Sequence, residues 1–209
     1  MGHRRIGRSI NEGGGLLNLE PATSRMAELV RAVTDGQLGT VTPCDCTVGE
    51  LLDHIQNLAA AFTAAATTTD DPALAGPAPT PDASRLGTDW RKRIPALLFG
   101  LSAAWSEHSV WEGNTKVGGL EMPAEAAGIV ALDEVILHSW DLAVASGQCY
   151  KPPADLTERL VPFLEHMAEP AMKPAREGLF GPVVPIDDRA PLFERVLALA
   201  GRRPDWRAS

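Results

Sequence analysis

Apolar residues recur at helical spacing from the first foldable stretch of the chain onward. After Pro21, Met26, Leu29, Val30 and Val33 fall on one face, with Glu20 and Glu28 toward the start and Gly36 as the stop, and this predicts a first helix. Thr42-Pro43-Cys44-Asp45-Cys46 reads as a turn. Thr47 then stands in N-cap position, with Glu50 three residues on to complete a capping box. A second helix follows, in which Val48, Leu51, Leu52, Ile55, Leu58, Ala59 and Phe62 form a broad stripe and His54 falls beside it. Between Thr67 and Arg85 the chain is too rich in proline for helix and too polar for core, so it is expected to be a long crossover. A third helix is predicted from Leu86 to Trp105 despite Pro95, and Trp111 to Gly119 reads as a turn-rich loop or short hairpin. The fourth helix is predicted from Pro123, a favoured first position, to Gly147. Two further helical stretches, 154–169 and 189–200, flank a loop from Gly178 to Pro185.

These elements predict an all-α fold: a four-helix bundle with a long crossover between helices 2 and 3, plus additional C-terminal helices. Residues 1–15, basic and ending in Gly13-Gly14-Gly15, are expected to be a flexible extension, and 16–209 a single domain. At 209 residues, with 44% hydrophobic and 22% charged residues, the chain can bury an ordinary globular core without staples.

Charge and cysteine usage narrow the function classes. The net charge is −8, and Arg4, Arg5 and Arg8, with Glu12, belong to the extension, so the body carries about −10. Such a surface does not attract a phosphate backbone, and nucleic acid is excluded as the expected partner. Three cysteines give no disulfide framework, no export signal is legible, and no apolar run approaches a membrane span. A cytoplasmic protein acting on a small molecule is expected, with no membrane partner. The oligomeric state is left open, a homodimer included.

The fourth helix carries the chemistry. In Asp133-Glu134-Val135-Ile136-Leu137-His138-Ser139-Trp140-Asp141, Glu134 and His138 are four apart, so both project from one face one turn apart, a spacing that can chelate an ion. Asp141 continues the same polar ridge and is expected to orient His138 through its other ring nitrogen, or else to form a salt bridge. With His54 from the second helix, the set becomes two nitrogens and a carboxylate, three protein ligands with positions left open, as in catalytic rather than structural metal sites. An ion pair, or hydrogen bonding within the bundle, is the competing reading for each residue alone. Cys44 and Cys46 are spaced too tightly for the usual zinc pair, and packing is expected of Cys44. Trp90, Trp105, Trp111 and Trp140 are expected in core or pocket wall, and His108, Lys116, Arg91 and Arg93 as exposed charges that could contact an anionic substrate.

Thr42-Pro43-Cys44, Thr47-Val48, Leu51-Leu52-Asp53-His54, and Leu132-Asp133-Glu134 through His138-Ser139-Trp140-Asp141-Leu142-Ala143 resemble the DinB-like family that includes the metal-binding domain of mycothiol-dependent maleylpyruvate isomerase. Leu179-Phe180-Gly181-Pro182 and Gly201-Arg202-Arg203-Pro204-Asp205-Trp206 are similar to the family's ending. The resemblance implies a DinB-like bundle, and His54, Glu134 and His138 as ligands of a divalent metal, zinc or nickel. It also implies mycothiol as cosubstrate of an S-transferase or isomerase in which the metal activates the thiol. A metal-dependent hydrolase or tailoring enzyme on the same scaffold, and a non-catalytic bundle that binds a small molecule or partner, stand as alternatives. The family's isomerase carries an additional C-terminal part that helps form its active site, and this chain is expected to end too soon to hold one.

Overall fold

The computed structural model describes residues 17–67 and 76–208, and the predicted N-terminal extension lies outside them. Four long helices form the bundle: α1 (Glu20–Ala32), α2 (Val48–Thr67), α3 (Trp90–Ala104) and α4 (Ala124–Ala145). A two-stranded hairpin, β1 (Asn114–Val117) and β2 (Leu120–Pro123), precedes α4, and α5 (Ala154–Met167), α6 (Lys173–Arg176) and α7 (Leu192–Leu199) complete the chain. The all-α bundle with a crossover between helices 2 and 3 is therefore what the chain adopts.

The helices are not arranged in sequence order around the bundle. α1 and α2 each pack on both α3 and α4, so the ring runs α1, α3, α2, α4, and helices consecutive at either end of the chain lie diagonally opposite. α4 shows the consequence in its composition. Seventeen of its 22 residues are buried, because α1, α2 and α5 all cover it. A helix apolar on nearly every side is a core helix, and each polar group it carries must find a partner inside the protein.

Local chemistry sets the ends of these elements. At the start of α2, Glu50 accepts hydrogen bonds from the Thr47 amide and hydroxyl, both at 2.7 Å, and the Glu50 amide donates back to Thr47 Oγ1, the predicted capping box. α3 starts at Trp90, not at Leu86 as the apolar pattern suggests. Gly87 takes φ +63°, which no helix tolerates, and the Leu86 carbonyl left over is bound by Arg93. The first helix stops at Ala32, short of Gly36, since Val33 is already extended and Asp35–Gln37 forms a 3-10 turn. The predicted 189–200 helix shrinks to Leu192–Leu199 behind Pro191. The hairpin turns on Gly118 and Gly119, both at positive φ, the conformation that a two-residue connection with right-handed strand twist demands.

The tryptophans pack as expected. Trp105 is buried and donates its ring N–H to the Phe62 carbonyl at 2.9 Å, while Trp111 donates to the Trp105 carbonyl at 3.0 Å and stacks edge-on against its ring. Gly128 of α4 lies under this pair with no room for a side chain.

Candidate metal centre

α2 and α4 pack side by side, and that seam brings His54 to the Glu134–His138 ridge. One Glu134 oxygen lies 3.0 Å from His138 Nε2 and 3.8 Å from His54 Nε2. The imidazoles meet edge to face with centroids 5.0 Å apart. One nitrogen from each ring and the carboxylate oxygen all fall within 4.8 Å of one another. The three residues predicted from spacing thus converge.

Behind His138 the ridge continues inward. Its Nδ1 lies 3.0 Å from Asp141 Oδ2, and that same oxygen accepts a 3.1 Å hydrogen bond from Arg202 Nη2. Asp141 is fully buried and Arg202 nearly so. Burial pushes the Asp141 carboxyl up, but the His138 hydrogen bond and the Arg202 guanidinium outweigh it and hold the group below the usual carboxylate range. For Glu134 burial again works upward, and hydrogen bonds from His138 and His54 prevail, keeping it ionised. Burial works downward on His138, while hydrogen bonds to Asp141, Cys44 and Glu134 raise it well above an ordinary histidine.

The donor chemistry fits a divalent cation. An ionised carboxylate is shared between two imidazoles, and with Asp141 accepting the Nδ1 proton of His138, a cation that displaced the Nε2 proton would take that nitrogen as a lone-pair donor. Two nitrogens and one oxygen are acceptable to zinc and nickel alike.

On its open side the cluster faces a cleft of about 750 Å³, within the range of small-molecule sites. One wall is the Cys44–Cys46 turn. A second is the Ala78–Pro81 end of the crossover, strapped down by Asp53, the residue before His54. Fully buried Asp53 accepts from Arg85 at 2.5 Å, from the Asp82 amide at 3.0 Å and from Gln56 at 2.8 Å. The remaining wall is C-terminal: Gly178–Pro182 and Ala200–Arg202. Gly181 and Gly201 make that wall possible, because a Cβ on Gly201, at φ +79°, would sit 2.6 Å from Gly181 backbone. Arg176 ties the two segments by donating to the Gly181 and Leu199 carbonyls.

Sequence reasoning had no role for Asp133 or Arg202, and both line the cleft. Asp133 is buried with an unpartnered Oδ1, and burial, reinforced by the Glu134 charge, pushes its carboxyl well up. Its signal was the acid immediately before Glu134. Arg202 stood in a quoted motif with no partner to suggest a role. The candidate anion contacts are elsewhere: Arg91 pairs with Asp35, Arg93 with Asp89, and His108 lies near Glu112. Neither these residues nor Lys116 lines the cleft, and the tryptophans do not either.

Comparison with known proteins places this geometry. The crystal structure of the mycothiol-dependent maleylpyruvate isomerase superposes with a TM-score of 0.61 at 20% identity, over 93% of this chain and 90% of that one, which establishes a shared fold. The alignment spans 90% of the isomerase chain, and residues 178–182 and 200–202 of this chain form part of the cleft. No curated protein matches the chain. Among the described residues no helix is long and apolar enough to cross a membrane. The model of the mycothiol maleylpyruvate isomerase N-terminal domain family matches residues 19–143, more than half the chain and a span that holds all three converging residues, and the chain belongs to that family.

Proposed function

We propose that the protein is a divalent-metal enzyme using a low-molecular-weight thiol, mycothiol, in an S-transfer or isomerisation reaction. His54, Glu134 and His138 would hold the metal, zinc or nickel. When bound, the cation supplies the charge that keeps a thiol deprotonated near neutral pH. The observation that carries the reading is the meeting of two imidazoles and one ionised carboxylate within 4.8 Å at the floor of a cleft.

The chain's own residues do the rest. Asp141 fixes the His138 ring through Nδ1, and Arg202 fixes Asp141, so the ring does not turn away from Glu134. Asp53 and Arg85 hold the strap beside His54, limiting the water that reaches the floor. Asp133, its carboxyl pushed well up by burial, lies at the same floor, where a protonated carboxyl would donate a hydrogen bond to a substrate oxygen.

Elemental analysis of untagged protein purified without immobilised-metal columns tests the metal: about one equivalent is expected in the wild type and none in His138→Ala. Incubating holoprotein with electrophilic alkenes, with and without added thiol, tests the reaction class. Turnover that requires thiol supports the proposal, and thiol-independent hydrolysis overturns it.

A further inference from the structure

The cleft wall carries a second pair of reactive atoms beside the three candidate ligands, with Cys44 in contact with His138. In the turn before α2, Asp45 adopts φ +61°, and the turn is closed by the Thr42 amide donating to the Cys46 carbonyl at 2.8 Å and the Asp45 amide donating to Thr42 at 3.1 Å. An aspartate tolerates the left-handed conformation better than most residues. The result is that two side chains one residue apart turn to the same side, with Cys44 Sγ and Cys46 Sγ 3.3 Å from each other. Thr42 Oγ1 bridges them, 3.1 Å from one sulfur and 3.4 Å from the other, while its hydroxyl donates to the Cys46 carbonyl. Both cysteines are half-buried and both line the cleft, so a solute that enters reaches them. Cys149, the third cysteine, is exposed and has no part in this turn.

Packing alone does not call for two sulfurs in contact at the mouth of a cleft. Disulfide formation does: the bond length is ~2.05 Å, and the sulfurs need close the gap by only a little more than an ångström. We infer that Cys44 and Cys46 are a dithiol–disulfide couple whose oxidant is a low-molecular-weight disulfide admitted by the cleft. The Cys46 thiolate attacks one sulfur of the incoming disulfide; a protein–small-molecule S–S bond forms, the original S–S bond breaks, and one thiol leaves. Cys44, losing its proton to solvent, then attacks the Cys46 sulfur of that mixed disulfide. The Cys44–Cys46 bond forms and the second thiol leaves. The protein loses two electrons and two protons, and the small disulfide becomes two thiols. Cys46 is the better first nucleophile, since the adjacent Cys44 thiol donates to it and holds its own thiol down to about 7. Nothing in this step requires the metal.

The test uses the full chain carrying Cys149→Ser, reduced and freed of reductant, with bis(2-hydroxyethyl) disulfide as probe, both as purified and after chelator treatment. Intact mass is expected to fall by two hydrogens, with peptide mapping placing the bond between Cys44 and Cys46. Adding Cys44→Ser is expected to arrest the reaction as a stable mixed disulfide on Cys46. Accumulation of adducts that never close, or thiols that stay free and alkylatable, overturns the inference. Thiols that react only once chelator is present also overturn it, since they would then be metal ligands. Because the assay is also run after chelator treatment, a disulfide that forms without bound metal supports the couple whatever the metal reading gives, so the two fail separately.

Discussion

Replacing Asp141 by Asn removes a single charge from a place where two groups, His138 and Arg202, depend on it. The carboxylate is fully buried, accepts from His138 and pairs with Arg202, itself only 8% exposed. Breaking a buried ion pair by deleting one partner costs about 3–5 kcal/mol, and Asn keeps one acceptor oxygen, so the lower end, about 3 kcal/mol, is expected. In a chain of this size that is a fall in Tm of roughly 6–12 °C. Metal affinity should drop as well, by about 10- to 100-fold, as for other losses of a group that orients a ligating histidine, which is ~1.4–2.7 kcal/mol. The two effects separate in the double variant Asp141→Asn/Arg202→Met. Removing the stranded guanidinium should recover much of the stability, because the cost of deleting one member of a buried pair lies mainly in the charge left without its partner. It should not recover metal affinity, because the His138 Nδ1 proton still lacks a carboxylate. Urea denaturation of metal-free protein and competition with a chelating dye read the two quantities. If the double variant regains wild-type metal affinity, Asp141 acts only on the fold and its role toward His138 is refuted.

Gly128→Ala tests the packing around the tryptophans. A helix-interior Gly→Ala change ordinarily gains ~1 kcal/mol, but here the new Cβ would lie 2.2 Å from the Trp111 ring and 2.9 Å from Trp105. Overpacking at ~1–3 kcal/mol and loss of the Trp111 hydrogen bond at ~1 kcal/mol reverse the sign, and a net destabilisation of about 1–3 kcal/mol is expected by urea titration. A raised midpoint would show that Trp111 moves freely. For Cys46, iodoacetamide labelling in a Cys149→Ser background should rise with pH through a midpoint of about 7, because only the thiolate reacts and the Cys44 contact lowers its pKa. A midpoint at or above ~8.5, the value of an ordinary thiol, counts against the pairing of the two sulfurs.

What the sequence discloses follows from the range of the interactions involved. The Thr47–Glu50 cap, the Glu134–His138–Asp141 ridge and the glycine turn of the hairpin are set within a few residues, and spacing alone exposes them. The position of His54 beside an apolar stripe, together with the resemblance, places it at the seam. An apolar stripe says that a face is buried, yet not against what, so the diagonal order α1, α3, α2, α4 is invisible in periodicity. The start of α3 was misplaced because Gly87 outweighs the apolar residues around it. Arg202 and Asp141 are 61 positions apart, and no local pattern joins them. Asp133 was in plain view, but its burial follows from α4 being covered on nearly all sides, a tertiary fact.

The family match ends at residue 143, beyond His54, Glu134, His138 and Asp141, so everything in the proposed metal grip except Arg202 lies inside it. The residues that turn an exposed seam into a cleft come from the Cys44–Cys46 turn, from the strap at 78–81, and from 178–182 and 200–202. The two halves of the site therefore answer to different physical demands. The grip depends on helix-to-helix registry between α2 and α4, fixed by a packed core that tolerates changes of less than a methylene. The C-terminal wall is loop, held by Arg176 hydrogen bonds and the Gly181–Gly201 approach, and its side chains can change without disturbing the bundle. Arg202 is the point where the halves meet, contributing its guanidinium to Asp141 from the wall. On the proposed function, variation in which electrophile is accepted is thus expected in the wall, while thiol activation would stay with the grip, and an exchange of residues 178–182 that spares Arg202, Gly181 and Gly201 should change substrate preference without releasing the metal.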